Sequence, residues 1–509
     1  AIKDLNTGEI LLVAGKGHET TQEIGRKKIF SSDKKIILNA IKTKNLTLSN
    51  NLKANIINEL SGEKKISPKA FLKQGRINSQ EVNKKDIFFA IRGKKNDGNK
   101  FISEAFKKKA SIAIVNTINK NYNKKHQVKV NDTLKFLTKS SKIYRQNINT
   151  KIIAITGSCG KTSLKELLGS SLGQISKVSI SPKSYNNKYG VPLSLFNLKQ
   201  KDDYGVLEIG MDKKGEIDNL SKIVQPDVSV ITNISYAHIK NFRNLKQIAL
   251  AKSEIINNTK DNGFIVLNAD DNFFSFHKKL AIKKNLNILS FGIKNKNSNI
   301  KLLDIKKEAN KYKATIKVNN FKTYFLIKND FQNNILNILA TLAVMSIYID
   351  ISRIDKNIFN NFKVPNGRGD ISKIKINKKS LNLIDESYNS NPLSLKSAIV
   401  NFDKIKSNKS KKYLLLGDML ELGKYSKKLH QSIGKIINKT KIDKVFVKGN
   451  DVLFTFNSIS KSKRGKILNN NSEIINLIKN DLDNNDYLMV KASNATGFNM
   501  IVSKMKGLR

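Results

Sequence analysis

Residues 152–166 read Ile-Ile-Ala-Ile-Thr-Gly-Ser-Cys-Gly-Lys-Thr-Ser-Leu-Lys-Glu. An apolar run with the length of a buried strand leads into a glycine-rich turn, and a helix is predicted over 162–172. Glycines let backbone amides approach a phosphate closely, and the helix N-terminus adds partial positive charge. In such a loop the lysine reaches the terminal phosphates and the threonine hydroxyl ligates Mg²⁺. The stretch therefore predicts an ATP-binding phosphate loop in an α/β domain, formed by Gly157, Ser158, Cys159, Gly160, Lys161 and Thr162.

The same order of strand, loop and helix continues after this loop. Further strands are predicted at 204–209, 228–232 and 264–267, with a helix over 245–257 and a closing helix over 335–348. Alternating strands and helices favour a mostly parallel sheet that binds ligands at the carboxyl ends of its strands. Glu208 lies at the end of one of these strands, and His238 follows the next. They are therefore candidate metal ligands beside the Thr162 hydroxyl.

Four regions can be separated along the chain. Residues 1–45 hold a strand-like run at 10–14 and a helical pattern from residue 33, which is too little to bury a core alone. Residues 46–148 are predicted to form a small α/β domain, with strands at 86–91 and 111–115 and a helix over 101–109. The phosphate loop lies in a domain over 149–362. A turn-rich segment at 364–369 opens a second α/β domain over 363–509, with strands near 381–384, 413–416, 444–447 and 487–490.

The charge balance is extreme and almost entirely due to lysine. The 509 residues carry a formal net charge of +52, and only 9 of the 93 basic residues are arginine. Recognition of base edges and bidentate contacts to phosphate favour the planar guanidinium. The lysines are also spread over the whole chain, so we interpret the charge as a compositional background and predict no nucleic-acid partner. The one consequence that we expect of the net positive charge is an electrostatic attraction of anionic small molecules.

Two further features limit the class of protein. The single cysteine, Cys159, excludes an internal disulfide and fits a reducing, cytoplasmic environment. No run of 18 apolar residues occurs, so no membrane span is predicted. Because the first residues, Ala1-Ile-Lys-Asp, have neither an initiator Met nor a signal pattern, we expect the chain to begin inside a longer reading frame.

These motifs resemble those of the Mur ligase family over about residues 46–509. The phosphate loop is similar to the family's ATP loop, and Asn186-Asn187-Lys-Tyr-Gly190-Val-Pro192 matches its Asn-Asn-x-x-Gly-x-Pro element. Three later blocks are similar to those of the members that add D-alanyl-D-alanine: Gly367-Arg368-Gly369, Asp385-Glu-Ser-Tyr388-Asn389-Ser-Asn391-Pro392 and Gly417-Asp418-Met-Leu-Glu421-Leu-Gly423. The resemblance implies three domains: a small N-terminal α/β substrate domain, a central P-loop ATPase domain with a mostly parallel sheet, and a C-terminal Rossmann-like α/β domain.

The resemblance also implies an activity. Members of this branch join D-alanyl-D-alanine to UDP-MurNAc-tripeptide with ATP and Mg²⁺ during peptidoglycan synthesis, through an acyl phosphate. For this chain it implies small-molecule substrates only, and we expect a monomer in the cytoplasm. Diaminopimelate and lysine both remain open as the third residue of the tripeptide.

The functional residues that the resemblance implies fall into four groups. The catalytic residues are Lys161, Glu208, His238, Lys252 and Arg368. The metal ligands are Thr162, Glu208, His238 and Lys252, the last after carbamoylation. ATP contacts beyond the loop are Asn268, Asn334, Asn337, Arg368 and Asp385. Substrate contacts are Asn78, Ser79, Asn187, Tyr388, Asn389 and Asn391, although Asn78 and Gln80 replace the Asp and Arg of the family's Asp-Ser-Arg element.

Residues 1–45 have a separate resemblance. The run Leu12-Val-Ala-Gly15-Lys16-Gly17-His18-Glu19, with Ser32-Asp33 downstream, resembles the C-terminal end of another Mur ligase, MurE. Because this region has no phosphate loop of its own, we predict no separate activity for it. The chain is interpreted as the tail of a fusion of two Mur ligases.

Three alternative functions stay open at this point. One is another amide ligase of the same superfamily, such as a folylpolyglutamate synthase, which leaves the last two quoted blocks unexplained. A second is a P-loop ATPase stimulated by nucleic acid, which needs a longer loop with a glycine where Ile155 stands, and more arginines. The third is an inactive scaffold that uses residues 1–45 for an interaction.

Overall fold

The computed structural model describes residues 2, 5, 10–14, 21–24, 27–30, 32–48, 52–63, 66–67, 70–93, 96–360, 362–376, 379–407 and 410–507, with only the backbone at 21–24, 27–30 and 42–48. Residues 15–19 of the MurE-like run lie outside this set. The chain divides into two compact units. The first contains residues 1–151 and 188–205, and the second contains residues 152–187 and 206–509.

The first unit is built around a short parallel sheet. Its elements are β1 (Thr21–Ile24), β2 (Lys27–Phe30), α1 (Asp33–Leu48), α2 (Leu52–Ser61), β3 (Gly75–Arg76), β4 (Ile87–Phe89), α3 (Ile102–Lys107), β5 (Ile112–Val115), β6 (Gln127–Lys129), α4 (Thr133–Gln146) and α6 (Gly190–Phe196). Strands β3 to β6 pair in that order, all in parallel. The strand predicted at 10–14 is wrong, because these residues form no strand and four of them are exposed apolar side chains.

Residues 188–205 pack into this first unit through α6. The Ser141 hydroxyl on α4 donates to the Pro192 carbonyl at 2.8 Å. The Phe196 ring lies edge-on to Phe89, with ring centroids 5.8 Å apart, and also contacts Tyr144. Aromatic burial of this kind stabilises the unit, and it explains why a segment distant in sequence belongs here.

The second unit contains the phosphate-loop sheet. Its elements are β7 (Lys151–Thr156), α5 (Lys161–Leu172), β8 (Val178–Ile180), β9 (Tyr204–Glu208), α7 (Glu216–Val224), β10 (Val228–Ile231), α8 (Leu245–Asn257), β11 (Phe264–Asn268), α9 (Phe274–Lys283), β12 (Asn287–Gly292), β13 (Ile300–Glu308), β14 (Lys311–Val318), β15 (Phe321–Ile327) and α10 (Gln332–Met345). The strand order is β15-β14-β13-β12-β11-β10-β7-β9-β8. From β7 to β13 the neighbouring pairs are parallel, as the sequence predicts. Strands β13 to β15 add two antiparallel hairpins that the sequence analysis did not predict.

The C-terminal sheet has six strands in the order β16-β17-β21-β18-β19-β20. Its elements are β16 (Asp370–Ile376), β17 (Lys379–Glu386), α11 (Pro392–Lys404), β18 (Lys412–Gly417), α12 (Ser426–Asn438), β19 (Lys444–Lys448), α13 (Leu453–Ser458), β20 (Arg464–Ile467), α14 (Asn471–Asn480), β21 (Tyr487–Lys491) and α15 (Phe498–Gly507). All pairs are parallel except β16 with β17. The three-domain α/β fold class is thereby confirmed in its sheets. None of the described helices is long and apolar enough to cross a membrane.

Candidate functional site

The phosphate loop is held in shape by its neighbours in the sheet. Gly157 has a φ of 146°, and a Cβ atom there would lie 1.9 Å from the Thr232 hydroxyl, so only glycine fits. The Ser158 amide donates to the Asn233 carbonyl, and the Cys159 amide donates to the Asn233 side chain. Gly160 is also left-handed, at φ 82°, and α5 begins at the next residue. The loop therefore presents backbone amides at a helix N-terminus, as predicted.

The predicted metal-binding oxygens lie together at the start of α5. The Thr162 hydroxyl donates to Oε2 of Glu208 at 2.6 Å, and the Asn186 amide donates to Oε1 at 2.7 Å. Lys161 Nζ donates to the Gly157 carbonyl at 2.9 Å. A hydroxyl beside a carboxylate is the hard oxygen donor set that Mg²⁺ prefers. The residues present therefore fit a magnesium ion.

Lys252 is buried in α8, with 1% of its surface exposed. Burial, reinforced by the Lys161 ammonium, holds the pKa of Lys252 well below its usual value. Cys159 and Glu208 are also close enough to act on it electrostatically. A lowered pKa increases the fraction of the amine that is neutral, and the neutral amine is the nucleophilic form. This position therefore suits covalent modification by carbon dioxide.

His238 faces two carboxylates from different parts of the second unit. Its Nδ1 atom lies 2.5 Å from Oε2 of Glu421 and 3.1 Å from Oδ1 of Asp212. The contact with His238, supported by Lys240, lowers the pKa of Glu421 to about 2. The Glu421 carboxylate is therefore ionised at neutral pH.

Residues next to the C-terminal sheet complete the site. The Arg368 guanidinium donates to the Thr162 hydroxyl at 2.9 Å and stacks over the Tyr388 ring at 4.1 Å. The Tyr388 hydroxyl donates to Ser184 at 2.6 Å. The Cys159 thiol donates to the Asn391 side chain at 3.0 Å, and burial raises the thiol pKa. These contacts join the phosphate loop to the residues around β17.

Most of these groups line a cavity of about 620 Å³, but Gly157, Asp212 and Lys252 are not part of its wall. Of the predicted site residues its wall contains Ser158, Cys159, Gly160, Lys161, Thr162, Glu208, His238, Asn268, Asn334, Asn337, Arg368, Tyr388, Asn389 and Asn391. Within the wall Asn268 donates to the Thr232 carbonyl, and Asn334 contacts Asn329. The volume is typical of a small-molecule site.

Two family profiles match this unit. The profile of the Mur ligase middle domain matches residues 155–345, and that of the Mur ligase glutamate ligase domain matches residues 372–494. The chain is 31% identical over 433 residues to the UDP-N-acetylmuramoyl-tripeptide–D-alanyl-D-alanine ligase of Rickettsia prowazekii, which covers 84% of this chain and 94% of that protein. The chain belongs to the Mur ligase family. A ligase of the same name from Buchnera aphidicola is 34% identical to this Mur ligase over 404 residues, 77% of this chain and 82% of the relative.

Solved structures of Mur ligases share the fold. MurF from Acinetobacter baumannii has a TM-score of 0.76 at 25% identity and covers 89% of this chain and 98% of its own. MurF from Thermotoga maritima, solved in complex with ADP, has a TM-score of 0.71 at 26% identity. The match covers 86% of this chain and 97% of that protein.

Some predicted site residues of this Mur ligase lie elsewhere. Asp385 does not line the cavity, because its carboxylate accepts hydrogen bonds from Ser387 and lies 2.7 Å from Lys506. Asn187 is absent from the cavity wall, whereas Asn186 belongs to it. Asn78 and Ser79 lie in the first unit. There Asn78 caps the turn Ser79–Glu81, and Ser79 donates to Glu104 at 2.7 Å.

The cavity wall also contains polar residues that were not predicted from the sequence, among them Ser184, Asn186, Glu386 and Lys491. Lys491 is 2% exposed, and its ammonium lies 3.0 Å from Glu386 and donates to the Asn389 carbonyl. A buried lysine cannot be recognised among 84 lysines by residue type. Asn186 could have been found, since it stands beside Asn187 in the quoted Asn-Asn-x-x-Gly-x-Pro match.

Proposed function

We propose that this Mur ligase joins D-alanyl-D-alanine to UDP-MurNAc-tripeptide at the expense of ATP, as the names of its relatives indicate for those proteins. The observation that carries the proposal is the contact of Arg368 and Asn391 with the phosphate loop. It brings the C-terminal residues of this branch of the family to the site where ATP is expected. A site of phosphoryl transfer is thus next to a site for a second reactant.

The proposed reaction has two steps. The terminal carboxylate of the tripeptide attacks the γ-phosphorus of ATP, so an oxygen–phosphorus bond forms, the bond to ADP breaks, and an acyl phosphate results. The amine of D-alanyl-D-alanine then attacks the acyl carbon. A carbon–nitrogen bond forms, phosphate leaves with its bridging oxygen, and the amine loses a proton to water.

Phosphoryl transfer depends mostly on positioning and on neutralising charge. The amides of residues 157–162 cradle the phosphates, and Lys161 exchanges the Gly157 carbonyl for a phosphate oxygen. Arg368 supplies a second cation, with its plane fixed by Tyr388. Asn268, Asn334 and Asn337 bind the rest of the nucleotide, and Glu386 takes the place in the cavity that was predicted for Asp385.

The proposal includes a Mg²⁺ ion held by Thr162, Glu208, His238 and carbamoylated Lys252. When bound, the ion supplies positive charge to the transferring phosphoryl group. The lowered pKa of Lys252 supports carbamoylation, because only the neutral amine adds to carbon dioxide. Carbamoylation would convert this buried amine into an anion beside Lys161.

The remaining substrate contacts are assigned by chemistry. Tyr388, Asn389 and Asn391 lie on the cavity wall and offer polar groups for the dipeptide or the acyl group. Asn78, Ser79 and Asn187 are proposed for UDP-MurNAc-tripeptide. We keep the domain boundaries 1–45, 46–148, 149–362 and 363–509, since each sheet falls inside one of these ranges. We also propose a monomer in the cytoplasm, where ATP and UDP-linked precursors are available.

A phosphate-release assay tests the function. Wild-type chain is offered ATP and UDP-MurNAc-tripeptide, with either diaminopimelate or lysine at the third position, and with or without D-alanyl-D-alanine. We expect steady release of phosphate only with all three substrates, and loss of release in Lys161→Ala. Turnover that is indifferent to D-alanyl-D-alanine, or a Lys161→Ala variant near the wild-type rate, contradicts the proposal.

A further inference from the structure

Asp212, His238 and Glu421 form a cluster beside the cavity. One ligand atom from each lies within 4.8 Å of the others. Both carboxylates approach the same ring nitrogen, Nδ1 of His238, at 2.5 and 3.1 Å. Neither oxygen meets the angular criteria of a hydrogen bond to that nitrogen, but both approach it closely. The carboxylates thus face one edge of the imidazole.

The backbone at this cluster is strained on both sides. His238 has a φ of 58° and Glu421 has a φ of 65°, which are left-handed values that non-glycine residues rarely adopt. Such conformations persist only where the surroundings hold them. Here they aim two side chains at each other.

A loop at 418–425, which we name the docking loop, carries Glu421 to His238. The Lys240 amide donates to the Glu421 carbonyl at 3.0 Å. The Tyr425 hydroxyl donates to the Arg243 carbonyl at 2.6 Å, and its ring lies 5.9 Å from that of Tyr236. The docking loop is therefore fixed on segment 236–243 by contacts that do not depend on the Glu421 carboxylate.

The base of the docking loop is also anchored. The Met419 amide donates to Nε2 of the buried His430, and the Leu420 amide donates to the Ser493 hydroxyl. The Asp418 carboxylate accepts from the amides of Asn450 and Val452. These bonds hold the backbone before Glu421, and the Tyr425 contact holds the backbone after it.

We propose that Glu421, assisted by Asp212, is a positioning residue for His238. A histidine that binds a metal almost always presents its other ring nitrogen to a carboxylate or carbonyl, which fixes the ring and its tautomer. The two carboxylates favour a proton on Nδ1 and leave Nε2 available for the divalent cation. This inference rests on the proposed function, because that function supplies the cation.

The inference connects two regions of the chain. His238 lies in the range of the middle-domain profile, and Glu421 lies in that of the glutamate ligase profile. Metal affinity should therefore depend on the docking loop being in place. The docking loop would then complete the metal site through Glu421, while other C-terminal residues complete the substrate site.

The test measures binding of Mn²⁺, as a probe for Mg²⁺, to the full chain with ADP by electron paramagnetic resonance. We expect Glu421→Gln to weaken Mn²⁺ binding about tenfold, the lower end of the usual effect of such partners. Lys240→Met is the matched control, since it removes the ammonium that lies 3.4 Å from the Glu421 carboxylate and leaves His238 in place. Its Mn²⁺ affinity should stay within twofold of wild type.

A double variant separates this role from an independent one. His238→Gln should weaken Mn²⁺ binding, and His238→Gln with Glu421→Gln should bind no more weakly, because Glu421 acts through His238. Additive losses, or an unchanged affinity in Glu421→Gln, overturn the inference. If Glu421→Gln instead raises only the KM for D-alanyl-D-alanine, Glu421 binds substrate. A wild-type chain that binds no Mn²⁺ with ADP overturns the metal part of the proposed function as well.

Nitrogen NMR gives a second readout that does not need the metal. The chain has only 5 histidines, so the ring of His238 can be assigned by its absence in His238→Gln. We expect the Nδ1-protonated form in wild type and a shift toward the Nε2-protonated form in Glu421→Gln. An unchanged tautomer contradicts the positioning role even if the variant is less stable.

Discussion

Replacing Arg368 by lysine tests the contact between the phosphate loop and the residues before the C-terminal sheet. Lysine keeps the charge, but it loses the planar fork that donates to Thr162 and stacks on Tyr388. A hydrogen bond from a charged group contributes about 1.5–3 kcal/mol, and a cation–π contact contributes about 0.5–2 kcal/mol. If the ammonium recovers about half of this sum, the loss is about 2 kcal/mol. That loss corresponds to a decrease of about 30-fold in kcat/KM for ATP.

The assay is phosphate release at varied ATP with both other substrates saturating. Tyr388→Phe is the matched control, because it keeps the ring beneath the guanidinium and removes only the hydroxyl that donates to Ser184. That single neutral hydrogen bond is worth about 1 kcal/mol, so we expect a decrease of about fivefold. The reasoning is refuted if Arg368→Lys stays within threefold of wild type, or if Tyr388→Phe is the more damaging change.

Three further predictions concern the loop, a buried histidine and the first unit. Gly157→Ala should abolish ATP binding in a calorimetric titration, because its Cβ would collide with the Thr232 hydroxyl, and retained micromolar affinity would contradict this. Burial lowers the pKa of His277 to about 4, so the folded state stays neutral while the unfolded state takes up a proton below about 6.5. Stability should therefore fall by about 2 kcal/mol between pH 7 and pH 5, and His277→Gln should flatten this part of a plot of melting temperature against pH; an unchanged slope would count against it. Phe196→Ala removes a fully buried ring and should destabilise the first unit by about 3–5 kcal/mol in urea unfolding, whereas a loss below 1 kcal/mol would show that the packing of α6 matters little.

The phosphate-loop region was predictable because its signals are local. Glycines at 157 and 160, an apolar strand before them and a helix after them fix both the fold and the chemistry within about twenty residues. The helix predicted over 245–257 coincides with α8, Glu208 ends β9, and His238 follows β10, as predicted. In each case hydrophobic spacing and position in the chain gave the same answer.

For the neighbouring residues Asp385 and Glu386, the sequence does not reveal which side chain reaches the cavity. Successive residues of a strand point to opposite faces, so only one of them can reach the cavity. Both faces of β17 are buried, at Leu383 and at Ile384, and the apolar pattern therefore does not reveal which face carries the site. In the structure Glu386 lines the cavity, whereas Asp385 forms a salt bridge with Lys506.

Two further features were not predicted from the sequence, one because of the lysine-rich composition and the other because it depends on long-range packing. Hairpins β13 to β15 turn at Ala309 and Asn319, both with left-handed φ, but their exposed lysines look like the background of the whole chain. Residues 188–205 join the first unit only through contacts such as those of Phe196, which no local pattern reports. Because lysine is so common in this chain, a lysine predicts a strand or a site only together with other evidence, such as hydrophobic spacing or a motif.

The capping of α11 has a consequence for how ATP binding responds to salt. Asn391 and Ser394 form a reciprocal cap at the start of this 13-residue helix, and Asn391 also meets the phosphate loop. Two helix N-termini, those of α5 and α11, therefore open on one cavity. Their partial charges belong to the backbone, sit in a sheltered wall and are poorly screened by ions. Nucleotide affinity should consequently vary much less with ionic strength than a net charge of +52 suggests.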